Sequence, residues 1–182
     1  MKKNSILALS ILFITLKANC QITKGNWLLG GNISFSSTSS SSNLGSNTLY
    51  AFQASGNAGY FFIDKFATGI KPNIYIDHGK GLQNFSSTGS ALGPFLRYYF
   101  LPTGLRTNLF AEGSYAYGIS SISNVFTSHS NSFSFLAGPV FFLNPLVGLE
   151  LSVGYTTVKN NVSNRTNIFK SGIGLQFHLE KE

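Results

Sequence analysis

The chain has 182 residues, the length of one domain, and combines 14% aromatic residues with only 10% charged ones. Its single cysteine, Cys20, excludes a disulfide framework and a cysteine-based zinc cluster. The net charge of +7 is inflated by Lys2, Lys3 and Lys17 of the leader, and the remaining lysines and arginines are placed one at a time, so no basic stripe offers nucleic acid a footprint.

Residues 1–20 have the three parts of a signal peptide. Lys2 and Lys3 form a positive start, Ile6 to Leu16 is apolar apart from Ser10 and Thr15, and Ala18 and Cys20 supply small residues for a cut before Gln21. The apolar stretch is short for a spanning helix. An uncleaved anchor, or a lipoprotein acylated at Cys20, are the other two readings of the same segment. The usual small apolar residues before a lipidated cysteine are replaced here by Lys17, Ala18 and Asn19.

From residue 21 to residue 182 the hydropathy pattern has period two, the signature of strand. Eight strands are expected, at 26–36, 48–62, 66–77, 89–101, 107–119, 132–143, 146–157 and 167–179. Each is about ten residues or longer, the length of a tilted membrane crossing. Short turns at 62–65, 102–105 and 143–145 alternate with longer polar segments at 37–47, 77–88, 120–131 and 158–166. Transmembrane barrels have this asymmetry, with tight periplasmic turns and longer external loops. The Ser-rich run at 36–42 reads as a flexible loop between two strands.

The two parities of each strand differ in chemistry. One is uncharged throughout and rich in aliphatic and aromatic residues, as in Leu92, Pro94, Leu96, Tyr98 and Phe100. The other holds every mid-strand charge, including Lys71, Arg97, Glu112, Glu150 and Lys170. An Arg or Lys facing lipid near the midplane would cost about 2–4 kcal/mol, so the apolar parity is assigned outward and the mixed parity inward. Aromatics band both ends of the outward face, with Trp27, Tyr60, Tyr98 and Phe141 at the short-turn end and Phe35, Tyr50, Phe133 and Phe169 at the other. A soluble, ligand-binding β-barrel would reverse the two faces. Pro72, Pro94 and Pro139 fall inside expected strands, where a missing N–H predicts bulges or broken pairing.

Three segments resemble a known family. Gly59 to Gly69 is similar to the GYF-x-x-D-x-x-A-x-G hairpin of small outer-membrane barrels of the Bacteroidota. Gly93 to Phe100 resembles their PF-x-RYYF strand, and Gly138 to Glu150 their G-x-x-x-FL-x-P-x-x-x-LE hairpin. The resemblance runs over essentially the whole chain after the leader. It implies an integral barrel related in architecture to the OmpA transmembrane domain and OmpX, and it implies no activity.

Candidate chemistry is sparse. His78, His129 and His178 have no metal-ligand spacing. The segment Ser128-His129-Ser130-Asn131 and the pair Asp77-His78 are the places where a histidine adjoins a potential partner, and a hydrolase would need a carboxylate, histidine and serine to converge there. The inward charges are more informative. Lys71, Arg97, Glu112 and Glu150 each lie a few residues from a short turn and are expected at one level inside the barrel, as a polar network plugging the lumen. A hairpin turn around Gly104 and Leu105 sets Arg97 opposite Glu112.

The expected fold is an all-β, eight-stranded antiparallel up-and-down transmembrane barrel, with a signal peptide at 1–20 and the barrel domain at 21–182. The expected function is non-enzymatic, without cofactor or metal. The barrel would sit in outer-membrane lipid with a plugged lumen and Ser/Asn-rich loops at the cell surface. A lipid-modifying enzyme and a narrow channel are the alternatives.

Overall fold

The computed structural model describes residues 22–42, 45–80, 85–122, 126–160 and 165–180. The expected signal peptide at 1–20 lies outside the described residues. The described chain is eight antiparallel strands: β1 (Trp27–Ser42), β2 (Gly45–Ile63), β3 (Phe66–Lys80), β4 (Phe85–Tyr99), β5 (Thr107–Ile122), β6 (Phe126–Phe142), β7 (Val147–Asn160) and β8 (Thr166–Leu179). They pair in chain order, and β1 closes the barrel on β8, with Trp27 opposite Tyr60 on one side and Leu179 on the other. Closure removes the free edges that an open sheet would expose.

The strands run further than the sequence pattern suggests, and always at the same end. Of the segments expected as long loops, residues 37–42, 45–47, 77–80, 85–88, 120–122, 126–131, 158–160 and 166 are strand, and the tips between them lie outside the described residues. β1 continues through the serine run to Ser42, where it pairs with Gly45, and β5 continues to Ile122, where it pairs with Phe126. Serine and threonine have no apolar alternation to reveal, so period-two hydropathy fades although the backbone pairing goes on. The flexible loop expected at 36–42 is therefore corrected to strand, and the asymmetry between the two ends is one of wall height.

At the opposite end the turns are tight. Lys65 takes the left-handed conformation with φ of 66°, which closes the β2–β3 hairpin beside a register shift between Phe61 and Ile63. The segment 22–26 folds across this end: Lys65 N–H donates to Ile22 O at 2.9 Å and Gly25 N–H to Phe61 O at 2.8 Å.

The three strand prolines sit where pairing breaks. Partners skip from Ser55–Asn73 to Ala58–Ile70 beside Pro72, from Leu92–Tyr117 to Phe95–Ser114 beside Pro94, and from Ala137–Val153 to Val140–Glu150 beside Pro139. Each interruption affects one neighbour only. Pro72 and Pro94 keep their register in the β3–β4 ladder, and Pro139 keeps its own in β5–β6. A residue's N–H points to one adjacent strand, so a proline loses a bond on that side alone.

The alternation expected of each strand is realised. Apolar side chains point outward, among them Ile74 at 61% exposure, Phe133 at 68% and Phe169 at 71%. Lys71, Arg97, Glu112 and Glu150 point inward and are buried.

Candidate functional site: the barrel lumen

The lumen has three layers along its axis. At the short-turn end, inward residues are large and apolar. Leu28, Phe61, Phe95, Tyr99, Phe110, Val140 and Phe142 pack into one buried cluster, and Ile22 of the N-terminal segment joins it from below. His178 is enclosed in this layer, with its ring centroid 5.9 Å from that of Phe61 and 5.3 Å from that of Phe142.

Above the aromatic base lies a layer of charge. Arg97 and Glu112 are direct partners in the β4–β5 ladder, and Arg97 donates to Glu112 Oε2 from Nε at 2.8 Å and from Nη2 at 2.6 Å. Lys71 of β3 donates to the other oxygen of Glu112, and Arg97 Nη1 donates to Glu150 of β7. The four residues thus form one chain, Lys71–Glu112–Arg97–Glu150, with two charges of each sign. Gln176 donates to the remaining oxygen of Glu150 at 3.1 Å, and Asn57 donates to Gln176 at 2.8 Å. The guanidinium carbon lies 4.5 Å from the centre of the Phe110 ring, which adds a cation–π contact from the base. Gly30 stands where a Cβ would strike the Gln176 carboxamide, so the approach of that side chain to the network depends on glycine in β1.

The third layer is open space. A cavity of about 400 Å³ occupies the long-loop half of the barrel, with Lys71, Asn32 and Ser152 in its floor. On β5 and β6 its wall is small side chains: Ser114, Ala116 and Ser120 on one strand, and Ser128, Ser130, Ser132 and Ser134 on the next. On β2, β3 and β8 the wall carries longer polar groups, Gln53, Tyr75, Asp77 and Lys170. Lys170 Nζ donates to Gln53 Oε1 at 2.5 Å, and Gln53 Nε2 donates to Asn73 at 3.2 Å.

All four charges singled out from the sequence come together. Sequence reasoning placed Gln176, Asn57 and Lys170 on the inward face without joining them to a site, and it passed over Tyr75, which the inward parity of β3 at 71, 73, 75 and 77 would have found. The candidate hydrolytic groups are separated. Ser128 and Ser130 line the cavity, whereas His129 lies on the outer side, stacked on Tyr117, whose hydroxyl is 2.9 Å from His129 Nδ1. Asp77 lines the cavity and His78 is exposed. Neighbouring residues of a strand face opposite sides, so neither pair can share a reaction centre. No group of metal-ligating side chains converges among the described residues.

No protein family and no curated protein matches the chain in sequence. Solved structures do. The outer membrane protein OprG from Pseudomonas aeruginosa is 16% identical with a TM-score of 0.61 over 90% of this chain and 100% of its own. Neisserial surface protein A (NspA) is 16% identical with a TM-score of 0.54, covering 87% of this chain and 98% of its own. The N-terminal β-barrel domain of Pseudomonas aeruginosa OprF is 11% identical with a TM-score of 0.50, covering 86% and 98%. The chain therefore has the fold of the small outer-membrane barrels.

Proposed function

We propose that the protein is a non-enzymatic integral barrel of the outer membrane, with a plugged lumen and a surface-exposed long-loop end. One observation carries this reading: large apolar side chains cover the outside of the wall while every mid-strand charge lies inside. In water that arrangement would expose the apolar band and hide the charge. In a bilayer it satisfies both, because lipid covers the band and the closed ladder satisfies the backbone. The resemblance to small Bacteroidota barrels, the fold shared with OprG and NspA, and the signal peptide expected at residues 1–20 agree with this location.

The plug is the base and the charged layer together. Phe61, Phe95, Tyr99 and Phe110 are each at most 1% exposed, and the Arg97 network spans from β3 to β7 above them. A conducting channel needs an open polar path, and the burial of these side chains among the described residues supports a closed one. Work at the cell surface falls to the long-loop half of the barrel.

The test is cell fractionation with heat-modifiability on gels. The folded protein should be found with outer membranes and should shift in mobility on boiling. A cysteine at Asn160 should react with an impermeant reagent on intact cells, and one at Thr103 should not. Soluble protein, or the reverse labelling, would overturn the reading. Purified protein in planar bilayers should show no steady ion conductance.

A further inference from the structure

We infer that the cavity in the long-loop half is a binding site for a small neutral polyhydroxylated solute, of monosaccharide class. The inference rests on the plugged-barrel reading, which makes the cavity a pocket closed at its base. Its volume of about 400 Å³ lies within the range of about 300–1,000 Å³ usual for small-molecule sites.

The space is made by particular side chains. The base of the same barrel is filled with aromatics, and a plug that only had to block passage could be filled likewise above. Instead, Tyr75 lies flat along the wall over its ladder partner Gly89, where any Cβ would strike its phenol ring. The largest side chain of the upper wall is thereby held out of the lumen. The ring still lines the cavity, where it can serve as a platform for the C–H face of a sugar.

The charges define the ligand further. Lys71, Arg97, Glu112 and Glu150 neutralise one another in the floor. Lys170 and Asp77 bring one charge of each sign to the wall, and no ion pair involves either among the described residues. The net charge facing a ligand is therefore zero, which disfavours anions and cations alike. A diol suits this pair: each hydroxyl both donates and accepts, so the carboxylate can accept a hydrogen bond from one while the ammonium donates to the oxygen of another. The serines of β6 line the cavity at two-residue intervals, Ser132 bonded to Ala116 O and Ser134 to Thr156, with Ser128 and Ser130 adding further hydroxyls.

A second observation comes from beneath the floor. Asn57 Oδ1 is buried and has no hydrogen-bond partner. It borders a water-sized space of about 10 Å³ that shares Asn32, Ser55, Lys71, Leu136 and Ser152 with the larger cavity. This unmet acceptor is within reach of the cavity through one bridging water.

The experiment titrates isotope-labelled protein in detergent micelles with D-glucose, D-galactose and D-ribose, with glycine and acetate as competing classes, and reads backbone amide shifts. At least one sugar should give saturable shifts at Tyr75, Ser130 and Gly172. Tyr75→Ala and Asp77→Asn should each weaken binding about tenfold. Ala116→Phe should abolish binding while the barrel stays heat-modifiable. No saturation with any of the three sugars would overturn the inference, as would stronger binding of glycine or acetate, or undiminished sugar binding by Ala116→Phe. Absence of sugar binding by a non-conducting barrel defeats this inference alone. Steady ion conductance would defeat the plugged-lumen reading beneath it.

Discussion

The two halves of the lumen are built from the same inward parity of the same eight strands, yet they are opposites. The short-turn half is filled: Phe61, Phe95, Tyr99, Phe110 and Phe142 pack into one buried cluster. The long-loop half is hollow, because β5 and β6 present serine and alanine where their lower turns present phenylalanine. The barrel wall does not decide whether an eight-stranded lumen is a core or a pocket, since its bore is just wide enough to be filled by side chains. Side-chain volume on one face of a few strands decides it. The charged layer sits at the boundary, where it has an aromatic floor beneath and polar space above.

Substitutions that treat the two halves alike should separate them. The largest effect is expected at the boundary. Glu112→Leu strands the Lys71 ammonium and should cost about 3–5 kcal/mol. The double change Lys71→Leu with Glu112→Leu should recover most of it, because Arg97 keeps Glu150. The urea midpoint of the folded gel band measures both, and equal losses in single and double variants would break the network argument. The pair expected from sequence, Arg97 with Glu112, is the less informative cycle, since removing both leaves Lys71 and Glu150 without their ion-pair partners.

Phe61→Ala in the base should also cost about 3–5 kcal/mol by the same assay, as the removal of a buried aromatic leaves a cavity. A smaller contrast comes from two inward alanines. Ala67→Phe must force a ring into the packed base and should destabilise by about 1–3 kcal/mol, whereas Ala116, buried but on the cavity wall, can turn a ring into the hollow and should lose less. The smallest effect is expected at Ser130→Ala in the hollow half, within about 0.5 kcal/mol. A large loss there would mean that the serine wall is structural.

Much of this was legible in the residues. Period-two alternation assigned strand, parity assigned the face, and the hairpin turn around Gly104 set Arg97 opposite Glu112, because each of these is fixed by the chain within a few residues of itself. The separation of His129 from Ser128 and Ser130, and of Asp77 from His78, emerged only once these segments proved to be strand. The strand ends were not legible, because a run such as the serines of β1 carries no hydropathy signal while its backbone remains paired.

What the tertiary structure alone decided is everything that meets across the lumen. Lys71 and Glu112 are 41 residues apart, and Arg97 and Glu150 are 53. Neither pair shares a hairpin, so whether they touch depends on the stagger at which the sheet closes, a property of all eight strands together. The hollow is of the same kind. Each small residue is visible in the sequence, but a cavity exists only where the small residues of several strands arrive at one height. The serines of β6 reach that height beside Ser114 and Ala116 because the barrel closes with that stagger.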